Sequence, residues 1–315
     1  MTGKVQNIRI ALDAMGGDYA PADIVQGAVM ATEKGDIDIY LVGPSDAVMA
    51  EMLKYDTSDL SICLVHAEEV VPEGINPALS VRKMPNSSIA LAARMVRDRE
   101  ADGFVSAGPT GSVVTAALQY LGMIDGIDRP VIGGAIFDKA PDTVVFDCGV
   151  NIDCKPYHLL TFAIIGHVFC RKFLGIDRPK IGLLNIGAEK DKGNLLTKEA
   201  YQLLDKSGLN FVGNIEGNQM MDGVANVLVC DGFIGNVIFK FCGSVGLFKD
   251  VAATSGNKQG GGIIFGINGI VRKVQGSSRA QHVAATILQT KEAIRTGFID
   301  ALKTELCNVT KRIKT

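Results

Sequence analysis

Short apolar runs in this chain end repeatedly in polar, glycine-bearing loops: DAMGGD at 13–18, SAGPTGS at 106–112, DCGVNIDCKP at 147–156, NIGAEKDKGN at 185–194 and DGFIGN at 231–236. The runs have strand length, and stretches with helical periodicity mostly follow them. Apolar runs at 8–12, 37–42, 62–66, 104–106, near 131, 144–148, 180–185, 211–212 and 227–230 read as strands. Segments 22–34, 113–121, 156–173 and 280–303 read as helices, as do those opened by Ser45 and Asp46, by Ser87 or Ser88 (ending near Gly103), and near Leu196. Such alternation predicts a three-layer α/β/α sandwich around a mostly parallel sheet. In that architecture ligands bind beyond the carboxyl ends of the strands, where these loops fall.

Composition narrows the function. Hydrophobic residues make up 47% and charged residues 21% of 315, a balance that supports a packed core and excludes disorder. A formal net charge of −2 gives a nucleic-acid partner no bulk attraction. The seven cysteines form no C-x-x-C pair, so no zinc site is expected. Cys63, Cys148 and Cys230, in or beside apolar runs, read as buried free thiols in a reducing cytoplasm. No apolar run reaches the length of a membrane span, and the apolar part of the first residues is too short for a signal peptide. One domain is expected over 1–315, with a glycine-rich, flexible segment at 249–262.

The loops carry the candidate chemistry. In SAGPTGS, Gly108 and Gly111 remove bulk, Ser106, Thr110 and Ser112 supply hydroxyls, and a helix start aims N–H groups at the turn, which together suit an anion. The alternative is a helix cap without ligand. The turn fits neither a Walker loop nor a dinucleotide fingerprint, so no cofactor is expected. Asp13, Gly16 and Gly17 belong to the first loop, and Arg82, Lys83, Ser87 and Ser88 form a second anion-friendly group. Asn185, Lys190, Lys192 and Asn194 suit an anionic substrate, but on this loop alone a solvated surface loop is the favoured reading. Asp147 and Asp153, with Asp231 and Asn236, read as turn caps before a metal site, and none is assigned. Lys155 and His158 lie near a helix start, and Cys154 reads as a bystander thiol.

Taken in order, IRIALDAMGGDYAP, VRKMPNSSI, SAGPTGS, GIDRP, DCGVNIDCKPYHL, GLLNIGAEKDKGN, DGFIGNV and IIFGINGIVRKVQGSS resemble the PlsX family of phosphate acyltransferases over nearly the whole chain. The resemblance implies a fold similar to those of isocitrate/isopropylmalate dehydrogenase and phosphotransacetylase, and a homodimer. It implies transfer of a fatty acyl group from acyl carrier protein to inorganic phosphate, with no cofactor, in the cytoplasm. The acyl phosphate would feed a membrane glycerol-3-phosphate acyltransferase in phospholipid synthesis. Arg272, Lys273 and Arg279 are expected to dock the acidic carrier.

Two departures stand out. Gln275 occupies the place of a histidine usual in the family, so no imidazole role carries over. The stretch before IIFG is short where the family usually has an amphipathic hairpin for membrane and carrier contact, so membrane association is expected to be weak. The competing readings are a phosphotransacetylase-like enzyme using short acyl-CoA and a non-catalytic acyl-binding scaffold.

Overall fold

The computed structural model describes residues 7–137, 139–247 and 262–314. In chain order the elements are β1 (Ile8–Asp13), α1 (Ala22–Thr32), β2 (Ile37–Gly43), α2 (Ser45–Met52), β3 (Ile62–His66), α3 (Pro77–Lys83), α4 (Ser88–Arg97), β4 (Gly103–Ser106) and α5 (Thr110–Leu121). Then come β5 (Val131–Ala135), β6 (Val144–Phe146), α6 (Pro156–Phe169), β7 (Ile181–Asn185), α7 (Leu195–Lys206), β8 (Phe211–Glu216), β9 (Val227–Val229) and α8 (Gly232–Ser244). The chain closes with β10 (Gly262–Phe265), β11 (Ile270–Lys273), α9 (Ala280–Arg295) and α10 (Phe298–Lys314).

Contacts divide the chain into two compact units, Met1–Gly122 with Gly256–Arg295, and Met123–Ser255 with Thr296–Thr315. In unit 1 the strand order is β3-β2-β1-β4-β11-β10, parallel from β3 to β11, with β10 antiparallel to β11. Ile10 and Leu12 of β1, with Ile39 and Leu41 of β2, pack against Ile24 and Val25 of α1 and Val283 and Ile287 of α9. Burying each such side chain contributes about 1.5–3 kcal/mol. Helices α1 and α9 approach closely at Gly27, where a Cβ would stand 2.7 Å from the Val283 Cβ.

Unit 2 has the order β5-β6-β9-β7-β8, parallel except for β5 against β6. Its core includes Phe137, Val145, Ile215 and Leu228. Helix α6 is buried almost continuously from His158 to Val168, which explains why its sequence shows little amphipathic pattern.

Several boundaries differ from the sequence reading. Helix α4 stops at Arg97, because Arg99 takes a left-handed φ of 61°. The single last helix is two, broken where Gly297 adopts φ 64°. The segment read as helix to residue 173 is α-helical to Phe169 and then closes in a π turn over Cys170–Leu174. Ser45 is inside α2 rather than its cap. Strand β6 ends at Phe146, because Asp147 begins the turn beyond it. Helices α3 and α8 and strands β10 and β11 have no counterpart in that reading. Cys230 is buried, whereas Cys63 is exposed on β3, the end strand of unit 1, and Cys148 is half-buried. The expected flexible segment lies outside the described residues, apart from Gly262 at the start of β10.

Candidate active site

Three neighbouring parallel strands of unit 1 end in polar side chains: Asp13 on β1, Ser106 on β4 and Lys273 on β11. Lys273 is in register with Ser106, and Leu12 with Val105, one step before Asp13 and Ser106. The Ser106 hydroxyl donates to Asp13 Oδ2 at 2.6 Å and accepts the Gly108 N–H at 2.9 Å. Met15 N–H donates to Asp13 Oδ1 at 3.1 Å. Burial pushes the Asp13 pKa up, opposed by bonds from Ser106, Ser88 and Met15 and by the charge of Lys273. The Lys273 ammonium donates to the carbonyls of Ala107 and Val274. Burial pushes its pKa down to about 8, against the attraction of Asp13, Glu73 and Asp18.

Beside this row lies a cleft of about 260 Å³, lined in part by Asp13, Gly16, Gly17, Glu73, Ser88 and Gly108. Its glycines have a steric purpose. A Cβ on Gly16 would stand 2.3 Å from the Gly108 nitrogen and 2.6 Å from Asp13 Oδ2. Gly17 has φ 95° and faces the Gly276 carbonyl. Thr110 and Gly111 form the first turn of α5, with Gly111 packed on Pro77.

Other expected members of the anion site have structural roles. The buried Ser112 hydroxyl meets Ser80 Oγ at 3.0 Å, inside the fold. Ser87 caps α4 by accepting the Ala90 N–H. Arg82 and Lys83 are exposed and do not line the cleft. The docking trio also divides. Arg272 is 7% exposed, donates to Gln289 Oε1 at 3.0 Å and has its pKa pushed down to about 10 by burial, so it presents no surface charge. Lys273 turns toward the Ala107 carbonyl. Arg279 alone is on the surface, stacked over Tyr19 at 3.4 Å and paired with Asp23 at 3.3 Å.

In unit 2, Asp147 is wholly buried beyond β6. It accepts N–H bonds from Gly149, Val150 and Asn151 at 3.0, 3.2 and 2.7 Å, and another from Asn151 Nδ2 at 2.7 Å. Burial pushes its pKa up against these bonds. This is a turn-holding carboxylate. Asn236 covers Gly149, where a Cβ would come within 2.7 Å of its Nδ2.

His158 is buried, accepts the Lys155 N–H at 3.1 Å and meets Asp128 at 3.2 Å. Asp128 was not singled out from the sequence, because its partner is 30 residues away. Asn185 bridges its own loop, accepting the Ile186 N–H at 2.9 Å and donating to the Lys192 carbonyl at 3.1 Å. Asn194 and Asp231 cap α7 and α8. Lys155, Lys190 and Lys192 are exposed. Burial pushes the Cys154 thiol up to about 11, so it is no ready nucleophile. Among the described residues no group of three or more His, Cys, Asp or Glu could hold a metal, and no helix is long and apolar enough to cross a membrane.

Solved structures share this fold. A phosphotransacetylase from Streptococcus pyogenes superposes with a TM-score of 0.70 at 20% identity, covering 92% of this chain and 95% of that one. A 4-hydroxythreonine-4-phosphate dehydrogenase from Klebsiella pneumoniae gives 0.55 at 11%, covering 91% and 99%. These likenesses define the fold. Residues 8–255 match the family described as "Fatty acid synthesis protein". The phosphate acyltransferase of Pelotomaculum thermopropionicum is 40% identical over 326 residues, 95% of each chain, and one from Desulfitobacterium hafniense is 41% identical over 95% of this chain and 98% of its own. The chain belongs to this family, the PlsX phosphate acyltransferases, which are acyltransferase enzymes.

Proposed function

We propose that the chain transfers a fatty acyl group from the thioester of acyl carrier protein to inorganic phosphate. The observation that carries this reading is identity of about 40% to phosphate acyltransferases over nearly the full length of both chains. The product is an acyl phosphate, a mixed anhydride suited to acylating glycerol 3-phosphate toward phosphatidic acid at the membrane. The partners are carrier protein, phosphate and a second copy of the chain, in the cytoplasm.

Phosphate is itself an anionic nucleophile, so no side-chain nucleophile is required. One phosphate oxygen forms a bond to the thioester carbon, the C–S bond breaks, and the thiolate takes up the proton that phosphate brought. The protein must position the anion and stabilise the developing oxyanion. We assign phosphate to the glycine cleft of unit 1, where Gly16, Gly17 and Gly108 carry no side chain and leave backbone open to the anion. In unit 2, Asn185, Asn194 and His158 already hold their own loops and helix starts, and we assign them no step in the transfer.

The fold likeness to a phosphotransacetylase supports a second reading, in which the donor is a short acyl-CoA. Comparing acyl carrier protein with acetyl-CoA as donor, and trapping the product with hydroxylamine, separates the two. Release of carrier thiol without any dependence on phosphate overturns both.

A further inference from the structure

The cleft of unit 1 poses an electrostatic problem. Asp13, Asp18 and Glu73 are all among its lining residues, and no lysine or arginine is. A multiply charged anion entering such a cleft meets repulsion that water screens only in part. Glu73 and Asp18 are exposed, so their charges are well screened. Asp13 is fully buried, and its charge is not.

Lys273 stands behind that wall. It ends β11 in register with Ser106, whose hydroxyl holds Asp13. Its ammonium reaches the carbonyl of Ala107, the residue before Gly108 of the cleft lining. All three lining carboxyl groups act on its charge. Yet the hydrogen bonds it makes with described residues go to carbonyls, those of Ala107 and Val274. A carbonyl carries a partial charge and a phosphate oxygen a formal one, so the ammonium gains Coulombic attraction by turning to the anion. The lysine stem is flexible and its head is a compact point charge, so the ammonium can turn from carbonyl to anion without backbone movement.

We propose that Lys273 is the cation that binds a phosphate group in the unit 1 cleft, with Ser106 and Asp13 fixing the base of that site. This deepens the proposed function and rests on it. It also reassigns Lys273 from carrier docking to substrate binding. Inorganic phosphate and the phosphodiester of a carrier's thioester arm share the relevant chemistry. The amine is positioned by three strands of one unit, so the site needs no residue from outside unit 1 for this contact.

Burial supports the assignment from a different direction. An ammonium pushed down to about 8 loses its charge within reach of ordinary assays, whereas an unperturbed lysine titrates near 10.4. Binding a phosphate dianion requires the charged amine. As pH rises above about 8 the free protein must take up a proton to bind, and affinity falls about tenfold per unit. The charged groups facing the amine are Asp13, Asp18 and Glu73, and removing the amine removes this slope.

The test is calorimetric titration of the full chain with inorganic phosphate from about pH 7 to about pH 10, beside steady-state kinetics. Lys273→Met is expected to lower phosphate affinity roughly tenfold to a hundredfold, the range of one charge-assisted bond, and to flatten the pH slope. Lys273→Arg is expected to restore part of the affinity. A matching rise in the KM for phosphate alone assigns the amine to the free anion, and a rise for the acyl carrier alone assigns it to the carrier's phosphodiester. Wild-type phosphate affinity and both KM values intact in Lys273→Met overturn the proposal. If that variant does not fold, Lys273→Arg decides, and wild-type phosphate affinity, pH slope and KM values all unchanged in it overturn the proposal. Phosphate binding through Lys273 without any acyl transfer would sink the proposed reaction and leave this site standing.

Discussion

Gly16→Ala tests whether the glycine cleft is as tight as its geometry states. The added Cβ would lie 2.3 Å from the Gly108 nitrogen, 2.6 Å from Asp13 Oδ2 and 3.0 Å from the Ala107 carbonyl carbon. Two of these atoms are backbone on the turn after β4, so no rotamer change relieves them. The two loops must part, which strains the 2.6 Å bond between Ser106 and Asp13. Overpacking of this kind costs about 1–3 kcal/mol. Each kcal/mol lowers Tm by about 2–4 °C for a unit of this size, so a fall of about 2–12 °C is expected. Gly108→Ala gives the internal comparison. Its closest contact is Ile89 Cδ1 at 2.9 Å, the far end of a flexible side chain, so a smaller fall is expected. The assays are thermal unfolding followed by circular dichroism and the KM for phosphate, which should rise at least about tenfold for Gly16→Ala. A Gly16→Ala protein with the wild-type Tm and phosphate KM would refute the reasoning.

The remaining predictions concern carboxyl and thiol groups. Asp147→Ala orphans the N–H groups of Gly149, Val150 and Asn151, at about 1–3 kcal/mol each, so a loss of at least about 3 kcal/mol is expected in urea unfolding, and a loss below about 1 kcal/mol would contradict its structural role. Asp13 binds its proton more tightly folded than unfolded, so its contribution to stability falls as pH rises from about 4 through the raised folded value. Asp13→Asn should remove that slope, match or exceed wild-type stability at neutral pH and lose at least about tenfold in turnover; a steeper pH dependence in paired urea melts would reverse this account. Cys154→Ser should keep turnover within about twofold, since a thiol held near 11 is un-ionised at neutral pH, and loss of activity with the fold intact would restore the thiol to the chemistry.

The strands that position the cleft were legible because each is a short apolar run closed by a glycine turn; segment 62–66 matches β3 and the run at 8–12 falls one residue short of β1. Elements without such punctuation were not. Helix α8 begins inside a loop motif, capped by Asp231, and its exposed Phe233, Val237 and Phe241 give no solvent-facing polar signal. Strands β10 and β11 are four residues each, joined through Gly266 at φ 88°, and read as a glycine-broken apolar stretch. Residue type and loop position singled out Asp13, Gly16, Ser106 and Gly108, which lie together at one cleft. They were not enough to tell a ligand-facing side chain from a cap. Asn194 and Asp231 accept from the third residue onward, as helix caps do, and Ser112 turns inward to Ser80. Neighbouring cations could not be told apart either, because one strand position separates Arg272 from Lys273: they point to opposite faces, one toward Gln289 and the other toward Ala107.

The central claim is acyl transfer to phosphate, and donor-resolved thiol release measures it most directly. Purified protein is incubated with a long-chain acyl carrier protein or with acetyl-CoA, with and without inorganic phosphate, while free thiol is counted and the product is trapped as hydroxamate. The account predicts thiol release from the acyl carrier that saturates with phosphate, one hydroxylamine-reactive acyl phosphate per thiol, and little turnover of acetyl-CoA. Preference for acetyl-CoA, or thiol release indifferent to phosphate, would contradict it.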